Sequence, residues 1–285
     1  MPSYDSARAR FRLADRHISV LGHLMDGESP PAEFVPSLGE LQQLGLVGQE
    51  GELSPLLSDL LTTLADPMVM IQVEVTGEHG PVTHGVVVGR RTVVAHDGWP
   101  GEEESEYLAI EPGTLVWELA RKVNLRTAEA VDPPVRRIET TMGALDAALA
   151  GSPDADVASA AGGLAEPALS LFADLVAALN STWRVTTVWD GAHDGAPAAH
   201  LRALAVWDCG PLGYWIRDLP EEPVLPGRLS PTTPLRLTRS TAAEIWERLG
   251  DLLPGEGDLV DESEGLLADG LGTASERRRG ERGPQ

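Results

Sequence analysis

The sequence predicts an α+β protein in which two tandem copies of a helix, a β-meander and a second helix form a mainly antiparallel sheet covered by helices. Short β-branched runs broken by turn residues occur twice, once from Met70 onward and once from Trp183 onward. An amphipathic helix follows each group of strands. These two closing helices align without a gap, with Val116 against Ile245 and Trp117 against Trp246. The first strand alternates apolar and polar residues, which is typical of an antiparallel sheet with one solvated face.

Composition and charge exclude several classes of function. The chain has 285 residues, 42% of them hydrophobic, and a formal net charge of −22. Such a charge repels phosphate backbones and anionic lipids, so we expect neither a nucleic-acid nor a membrane partner. The single cysteine, Cys209, allows no intramolecular disulfide or cysteine metal cluster, and it is interpreted as a small core hydrophobe. The sequence shows no secretory signal and no apolar run of membrane-spanning length, which predicts a cytoplasmic protein.

The N-terminal part of the chain is predicted to be helical. Residues 1–36 form a separate segment with a helix from Ser6 to Leu24, whose exposed arginines are interpreted as a solvated face. The main domain covers 37–254. It begins with a short helix ending at Gly45 and a second helix capped by Ser54 and stopped by Pro67.

The main domain divides into half-repeats 53–130 and 164–254, joined by a linker at 131–163. A helix from Glu166 to Leu179 precedes the second group of strands, as a helix precedes the first. The last helix begins with the capping box Thr241 and Glu244. The tail, residues 255–285, is acidic and glycine-rich with a terminal arginine cluster, and its composition predicts disorder.

No motif in the sequence predicts catalysis. Histidine and aspartate are adjacent in His96–Asp97 and His193–Asp194, but adjacent residues on a strand point to opposite faces, and the second pair lies in Asp-Gly turn sequence. The acidic run Glu102–Glu106 lacks the spaced ligands of a calcium loop. Phosphate-binding loops, zinc motifs and nucleophile elbows are missing. We therefore predict no enzyme activity, cofactor or metal.

Three stretches of the sequence carry a family resemblance. They are LGLVGQEGELSPLLSDLLTTLADP before the first strands, LAVWDCGPLGYWIRDL, and the closing STAAEIWERLGDLL. This resemblance is to the EspG family of cytosolic chaperones of actinobacterial type VII secretion. It covers roughly Leu41 to Leu253 and includes an internal repeat. The single lysine among many arginines is also typical of a GC-rich bacterial genome.

The resemblance implies a non-enzymatic chaperone that binds a secreted PE/PPE-like dimer, or another type VII substrate, and keeps it soluble. An alternative is a small-molecule sensor or enzyme with a pocket between sheet and helices. A winged-helix regulator, suggested by LGELQQLGLVGQEGELS, is disfavoured by the negative charge.

Aromatic residues at loops or strand ends are the predicted contacts to a protein partner. Seven tryptophans are present, and most, including Trp183 and Trp189 on one face of a strand, are expected in the core. An interface anchor must be reachable. The predicted partner-binding residues are Trp99, Tyr214 and Trp215.

Overall fold

The computed structural model describes residues 2–127, 131–149, 164–193, 196–219, 230–255 and 258. Nearly all of the predicted tail and residues 150–163 of the predicted linker lie outside these ranges. The strands are β1 (Ser3–Asp5), β2 (Arg10–Ala14), β3 (Val69–Gly77), β4 (Gly80–Val88), β5 (Val93–Asp97), β6 (Glu104–Ile110), β7 (Arg137–Thr141), β8 (Ser181–His193), β9 (Ala196–Asp208), β10 (Tyr214–Arg217) and β11 (Pro234–Ser240). The helices are α1 (Asp15–Met25), α2 (Val35–Gln43), α3 (Ser58–Ala65), α4 (Leu115–Lys122), α5 (Met142–Leu149), α6 (Ala168–Ala177) and α7 (Ala242–Asp251).

All eleven strands belong to one sheet, in the order β1-β2-β6-β5-β4-β3-β8-β9-β10-β11-β7. From the border between β3 and β8, the first half runs β3-β4-β5-β6-β2-β1 and the second half runs β8-β9-β10-β11-β7. Each half thus begins with a meander of four consecutive strands. Next to the meander lies a strand from earlier in the chain, which is β2 in the first half and β7 in the second. The strand pairs within each half that have a defined register are antiparallel. The predicted α+β fold with two half-repeats is therefore confirmed.

Helices cover both faces of the sheet. On β5, Val94 packs in a core with residues of α1–α3. Asp97, three residues later, points to the opposite face and forms ion pairs with Arg121 and Lys122 of α4. Helix α4 therefore lies on the face opposite α1–α3.

Each half of the sheet has its own hydrophobic core beneath its helices. The first consists of Phe11, Leu13, Val20, Leu21, Leu41, Leu46, Val47, Leu57, Leu60, Leu61, Val94 and Tyr107. The second consists of Ile138, Ala144, Leu145, Leu171, Phe172, Leu175, Trp207, Cys209, Trp215, Leu235 and Leu237. Cys209 is fully buried, as predicted, and burial raises the pKa of its thiol to about 12.

The N-terminal segment and the linker differ from the prediction. Residues 10–14, expected to begin a helix, form β2 and pair with β6, because Phe11 and Leu13 alternate with arginines and bury one face. The predicted helix begins only at Asp15. The predicted linker contains the edge strand β7, which completes the sheet, and helix α5, and both pack into the second core.

Several local predictions are confirmed. Gly45 follows α2 with a φ of +70°, the left-handed conformation expected after a helix. The Ser54 side chain accepts from the Leu56 amide at the start of the segment leading into α3. Thr241 and Glu244 form the capping box of α7, and α6 falls within the predicted range.

The contact pattern separates a small second unit from the rest of the chain. The described residues of 2–188 and 201–253 form the larger unit, whereas those of 189–200 group with residues 254, 255 and 258. Within the small unit, the rings of Trp189 and His200 stack with centroids 5.4 Å apart, and the Trp189 indole donates to the carbonyl of Asp258.

Candidate functional site

The middle of the sheet has one face that helices leave open. On β3, Val69, Ile71 and Val73 are buried, whereas the alternate residues Met70, Gln72, Glu74 and Thr76 are exposed. Met70 pairs with Val87, and Val87 pairs with Val94, whose side chain packs under α1–α3. The exposed residues of β3 therefore lie on the α1–α3 side of the sheet, beyond the edge of those helices.

The same open face continues onto β8 and β9. A side chain on Gly77 of β3 would meet the Cβ of Ser181 on β8 at 3.6 Å, so Ser181 lies on the face opposite Met70, and by alternation Arg184 lies on the same face as Met70. Arg217 contacts the sulfur of Met142 in α5. On β9, Leu201 shares the face of Trp207, which packs in the second core. We call this surface the central face; it comprises Met70, Gln72, Glu74, Thr76, Arg184, Thr186, Leu201 and Ala203.

The central face combines apolar and polar side chains on a rigid support. Met70 is 50% exposed and Leu201 is 42% exposed. Glutamine, glutamate, threonine and arginine side chains surround them. An exposed apolar patch with a polar rim is typical of a protein interface rather than of a catalytic centre.

A second surface feature is a groove of about 1320 Å³ beside α4 and α7, which we call the α4–α7 groove. Its apolar wall contains Trp117 and Trp246, whose ring centroids are 5.3 Å apart in an edge-to-face arrangement. Trp117 is 67% exposed. The charged side chains of the lining are Glu118, Arg121, Arg126, Asp132, Arg136, Asp208, Arg239 and Glu244.

Tyr214 connects two arginines of this groove. Its hydroxyl accepts from the backbone amide of Arg126 and donates to the carbonyl of the same residue. Its own carbonyl accepts from Arg239 Nη1 at 3.2 Å. The guanidinium of Arg239 also lies against Gly213, where a Cβ would overlap it. Arg239 is thus held by backbone groups at the side of the groove.

A buried charged cluster joins α4 to the sheet. Lys122, the only lysine of the chain, donates to Asp97 Oδ1 and to the carbonyl of His96, and its side chain is fully buried. Arg121 Nη2 contacts Asp97 Oδ2 at 2.5 Å, and His84 Nδ1 lies 3.4 Å from Asp97 Oδ1. Burial lowers the pKa of Lys122, an effect opposed by the charge of Asp97. These contacts fix α4 on the sheet and leave Lys122 without access to a substrate.

The basic and acidic runs of the N-terminal half neutralise each other. Strand β2 pairs with β6, and Arg10 contacts Glu106 at 2.6 Å. Arg12 contacts Glu102 and Glu104, and Arg16 contacts Glu103, as further ion pairs. The arginines were predicted to form a solvated helix face, but strand pairing places them beside the acidic run.

The three predicted partner-binding residues have different surroundings. Trp99 is 41% exposed, lines a small cavity of about 360 Å³ with His84 and Asp97, and lies under the guanidinium of Arg12 at 5.7 Å. Tyr214 is buried except for the part that lines the α4–α7 groove. Trp215 is fully buried in the second core, and its indole nitrogen donates to the carbonyl of Leu212. The expectation that Trp215 is reachable is therefore wrong, because its side chain points under α5 and α6.

Sequence reasoning missed the surface residues Met70 and Leu201 and the exposure of Trp117. The alternation of apolar and polar residues in β3 was recognised. Whether helices cover the polar face of this strand depends on where α1–α3 end, which the sequence does not show. Trp117 was identified only as a match to Trp246. The amphipathic pattern of α4 contains a signal for its exposure, since Leu115 and Leu119 define a buried stripe that excludes Trp117.

No protein-family model and no curated protein sequence matches this chain. Among solved structures, the fold is similar to that of the Mycobacterium tuberculosis type VII secretion system chaperone EspG5, solved in complex with a PE25–PPE41 dimer. The match has a TM-score of 0.55 and 11% sequence identity, and it covers 88% of this chain and 100% of the EspG5 structure. At this identity, the likeness shows a shared fold.

Two further observations concern membrane and metal binding. Across the ranges that the structure describes, no helix is long and apolar enough to cross a membrane. Within the same ranges, no three histidine, cysteine or acidic side chains come together in a way that could hold a metal ion.

Proposed function

We propose that this protein is a cytoplasmic chaperone that binds a type VII secretion substrate, a PE/PPE-like dimer or a related helical protein, on its central face. The observation that carries the proposal is the exposure of Met70 and Leu201 on the middle strands of a sheet whose fold is shared with EspG5. The EspG5 structure contains a PE25–PPE41 dimer, so this fold accommodates such a partner in at least that protein.

The chemistry of the central face suits an amphipathic helical partner. A secreted helical protein must have its apolar surface covered until export, and two exposed apolar side chains on a rigid sheet provide such a contact. The polar rim of Gln72, Glu74 and Arg184 allows hydrogen bonds at the periphery. The net charge of −22 keeps the loaded chaperone soluble.

Binding rather than catalysis is proposed for this protein. The histidine, aspartate and lysine that come closest together, His84, Asp97 and Lys122, form a structural ion-pair cluster. A small-molecule sensor or enzyme using a pocket next to the helices remains the alternative, and the α4–α7 groove is the observation that favours it.

Affinity capture from the native host tests the proposal. The tagged protein should retain a secreted helical protein that mass spectrometry identifies, and Leu201→Asp should abolish its retention because a charge would be buried in the contact. Leu56→Asp is a matched control, since Leu56 is 54% exposed elsewhere on the surface. Retention of no secreted protein, or equal retention by Leu201→Asp, would contradict the proposal.

A further inference from the structure

The α4–α7 groove carries an inference about a second binding site. It lies beside α4 and α7, whereas the central face lies on the side of α1–α3, α5 and α6. The position of α7 on the side opposite the central face follows from Arg202. This residue is next to Leu201 on β9, so its side chain points away from the central face. Its Nη1 donates to the carbonyls of Asp251 and Leu253, at the end of α7. A ligand in the groove would therefore not compete with a protein bound to the central face.

The carboxylates of the groove are already engaged. Glu118 pairs with Arg121, and Asp132 pairs with Arg136. Glu244 caps its own helix, where it accepts from the amide of Thr241. Asp208 accepts from the amide of Gly210. None of these four groups forms an ion pair with Arg126 or Arg239.

Two arginines of the groove contact only neutral acceptors among the described residues. Arg126 Nε donates to Asn124 Oδ1, and Arg239 donates to the carbonyls of Tyr214 and Ser240. Arg239 Nε is buried and has no hydrogen-bond partner within the described ranges. Burial lowers the pKa of Arg239, and the charge of Arg136 lowers it further, whereas the charges of Asp132 and Glu244 raise it. In a chain with a net charge of −22, two such arginines at one groove indicate a site for a negatively charged group.

The apolar wall and the size of the groove restrict the ligand further. Trp117 and Trp246 offer a large aromatic surface close to these arginines. A volume of about 1320 Å³ exceeds the roughly 300–1,000 Å³ of sites for drug-sized molecules. Asp132, Asp208 and Glu244 in the same lining would repel a polyanion such as nucleic acid. A ligand that carries a few carboxylates beside apolar side chains fits these conditions.

We propose that the α4–α7 groove binds an acidic peptide segment of a protein partner, with carboxylates held by Arg126 and by Arg239 and an apolar side chain packed on Trp117. A carboxylate can accept two parallel hydrogen bonds from a guanidinium, which gives such a contact geometric specificity. Tryptophan and arginine are the residue types that most often dominate binding free energy at protein interfaces. This inference is independent of the proposed chaperone function, because it concerns a different surface.

Selection from a phage-displayed library of random short peptides tests the inference. The full-length protein should select peptides that combine aspartate or glutamate with aromatic or aliphatic residues. The affinity of a synthetic selected peptide should fall about tenfold or more in Arg126→Gln/Arg239→Gln and in Trp117→Ala. It should also fall as salt is raised to about 0.5 M, because salt screens exposed charges.

Matched variants separate the groove from other surfaces. Arg236→Gln removes an exposed arginine of β11 outside the groove, Trp99→Ala removes an exposed tryptophan, and Leu201→Asp alters the central face. All three should retain the affinity of the protein for the peptide. Thermal unfolding of each variant checks that the fold is intact.

Several results would overturn the inference. They are the selection of no peptides, the selection of basic or neutral peptides, and peptide affinities that the groove variants leave unchanged. A dimer that Trp117→Ala dissociates would show that a second copy of the chain occupies the groove instead. A large gain in peptide affinity after removal of residues 256–285 would identify that segment as the occupant.

Discussion

The indole rings of Trp117 and Trp246 meet edge to face, with their centroids 5.3 Å apart, at the contact between the closing helices of the two half-repeats. Trp117 is nevertheless 67% exposed. The pair therefore contributes little to either hydrophobic core and presents its aromatic surface to the α4–α7 groove. A different tryptophan, Trp215, fills the second core and has no exposed surface.

Alanine substitutions at Trp117 and Trp215 should lower stability by very different amounts. Trp215→Ala leaves a large cavity in a packed core and should lower the free energy of unfolding by about 3–5 kcal/mol. Trp117→Ala removes a mostly exposed ring and one aromatic contact, so its cost should be about 1 kcal/mol or less. Urea denaturation monitored by circular dichroism measures both values. A loss for Trp117→Ala as large as that for Trp215→Ala would show that Trp117 is a core residue.

Removing the carboxylate of Asp97 should destabilise the protein strongly. Asp97→Asn leaves the ammonium of Lys122 buried without a counter-charge, which typically costs about 3–5 kcal/mol. The double variant Asp97→Asn/Lys122→Met removes both charges and should recover part of that loss. Equilibrium unfolding of the two variants and the wild type gives the comparison. A double variant less stable than Asp97→Asn would refute the assigned pairing.

The same cluster makes stability depend on acidic pH. Burial opposes ionisation of Asp97, but neighbouring His84 and the charges of Lys122 and Arg121 outweigh it and hold the pKa of Asp97 well below its usual value. A carboxyl group with a depressed pKa in the folded state stabilises the fold above its unfolded-state pKa of about 4, and this stabilisation is lost as the pH falls.

Below pH 4, the free energy of unfolding should therefore fall more steeply in the wild type than in Asp97→Asn. The difference in slope should approach about 1.4 kcal/mol per pH unit, the value for one additional proton. Urea titrations at stepped pH between about 4 and 2 measure it. Equal slopes for the two proteins would mean that Asp97 titrates normally.

The loss of Trp99 tests one contact predicted from the sequence alone. Trp99 is partly exposed and contacts the guanidinium of Arg12, an interaction that contributes about 0.5–1 kcal/mol at exposed sites. Because Trp99 lies with Arg12 and Asp97 on the face of the sheet opposite Met70, Trp99→Ala should change the thermal midpoint only slightly and leave capture of a partner on the central face unchanged. Phe34→Ala, at a partly buried position packed against the first core, is the comparison for a purely structural loss. Weakened capture by Trp99→Ala, with the fold intact, would place the partner on the side of α4 and contradict binding at the central face.

Local signals in the sequence predicted most elements of the fold. Ser54, Gly45 and the Thr241–Glu244 capping box mark helix ends through short-range hydrogen bonding and backbone conformation, and these signals do not depend on tertiary structure. The alternation in β3 likewise predicted which residues are buried. Strand β2 was missed because Phe11 and Leu13 also fit the start of an amphipathic helix. Only the long-range pairing with β6 decides between a strand and a helix at these residues.

The candidate surfaces could be predicted only in part because they depend on long-range packing. The gapless alignment paired Val116 with Ile245, whereas the buried positions match Leu115 and Leu119 with Ile245 and Leu249. The buried positions of α4 therefore lie one residue earlier than the alignment implied. This difference decides which side chains of α4 are exposed, and the alignment could not detect it. Similarly, the sequence shows Trp215 in a strand but not which face α5 and α6 cover.

Oxidative footprinting of the protein in complex with its secreted partner tests the central claim most directly. Met70, on the central face, is 50% exposed, and Met25, on α1, is 40% exposed, so both should react with hydrogen peroxide in the free protein. We expect the bound partner to protect Met70 while Met25 stays as reactive as before. If Met70 oxidises at the same rate in the complex as in the free protein, the partner does not bind the central face.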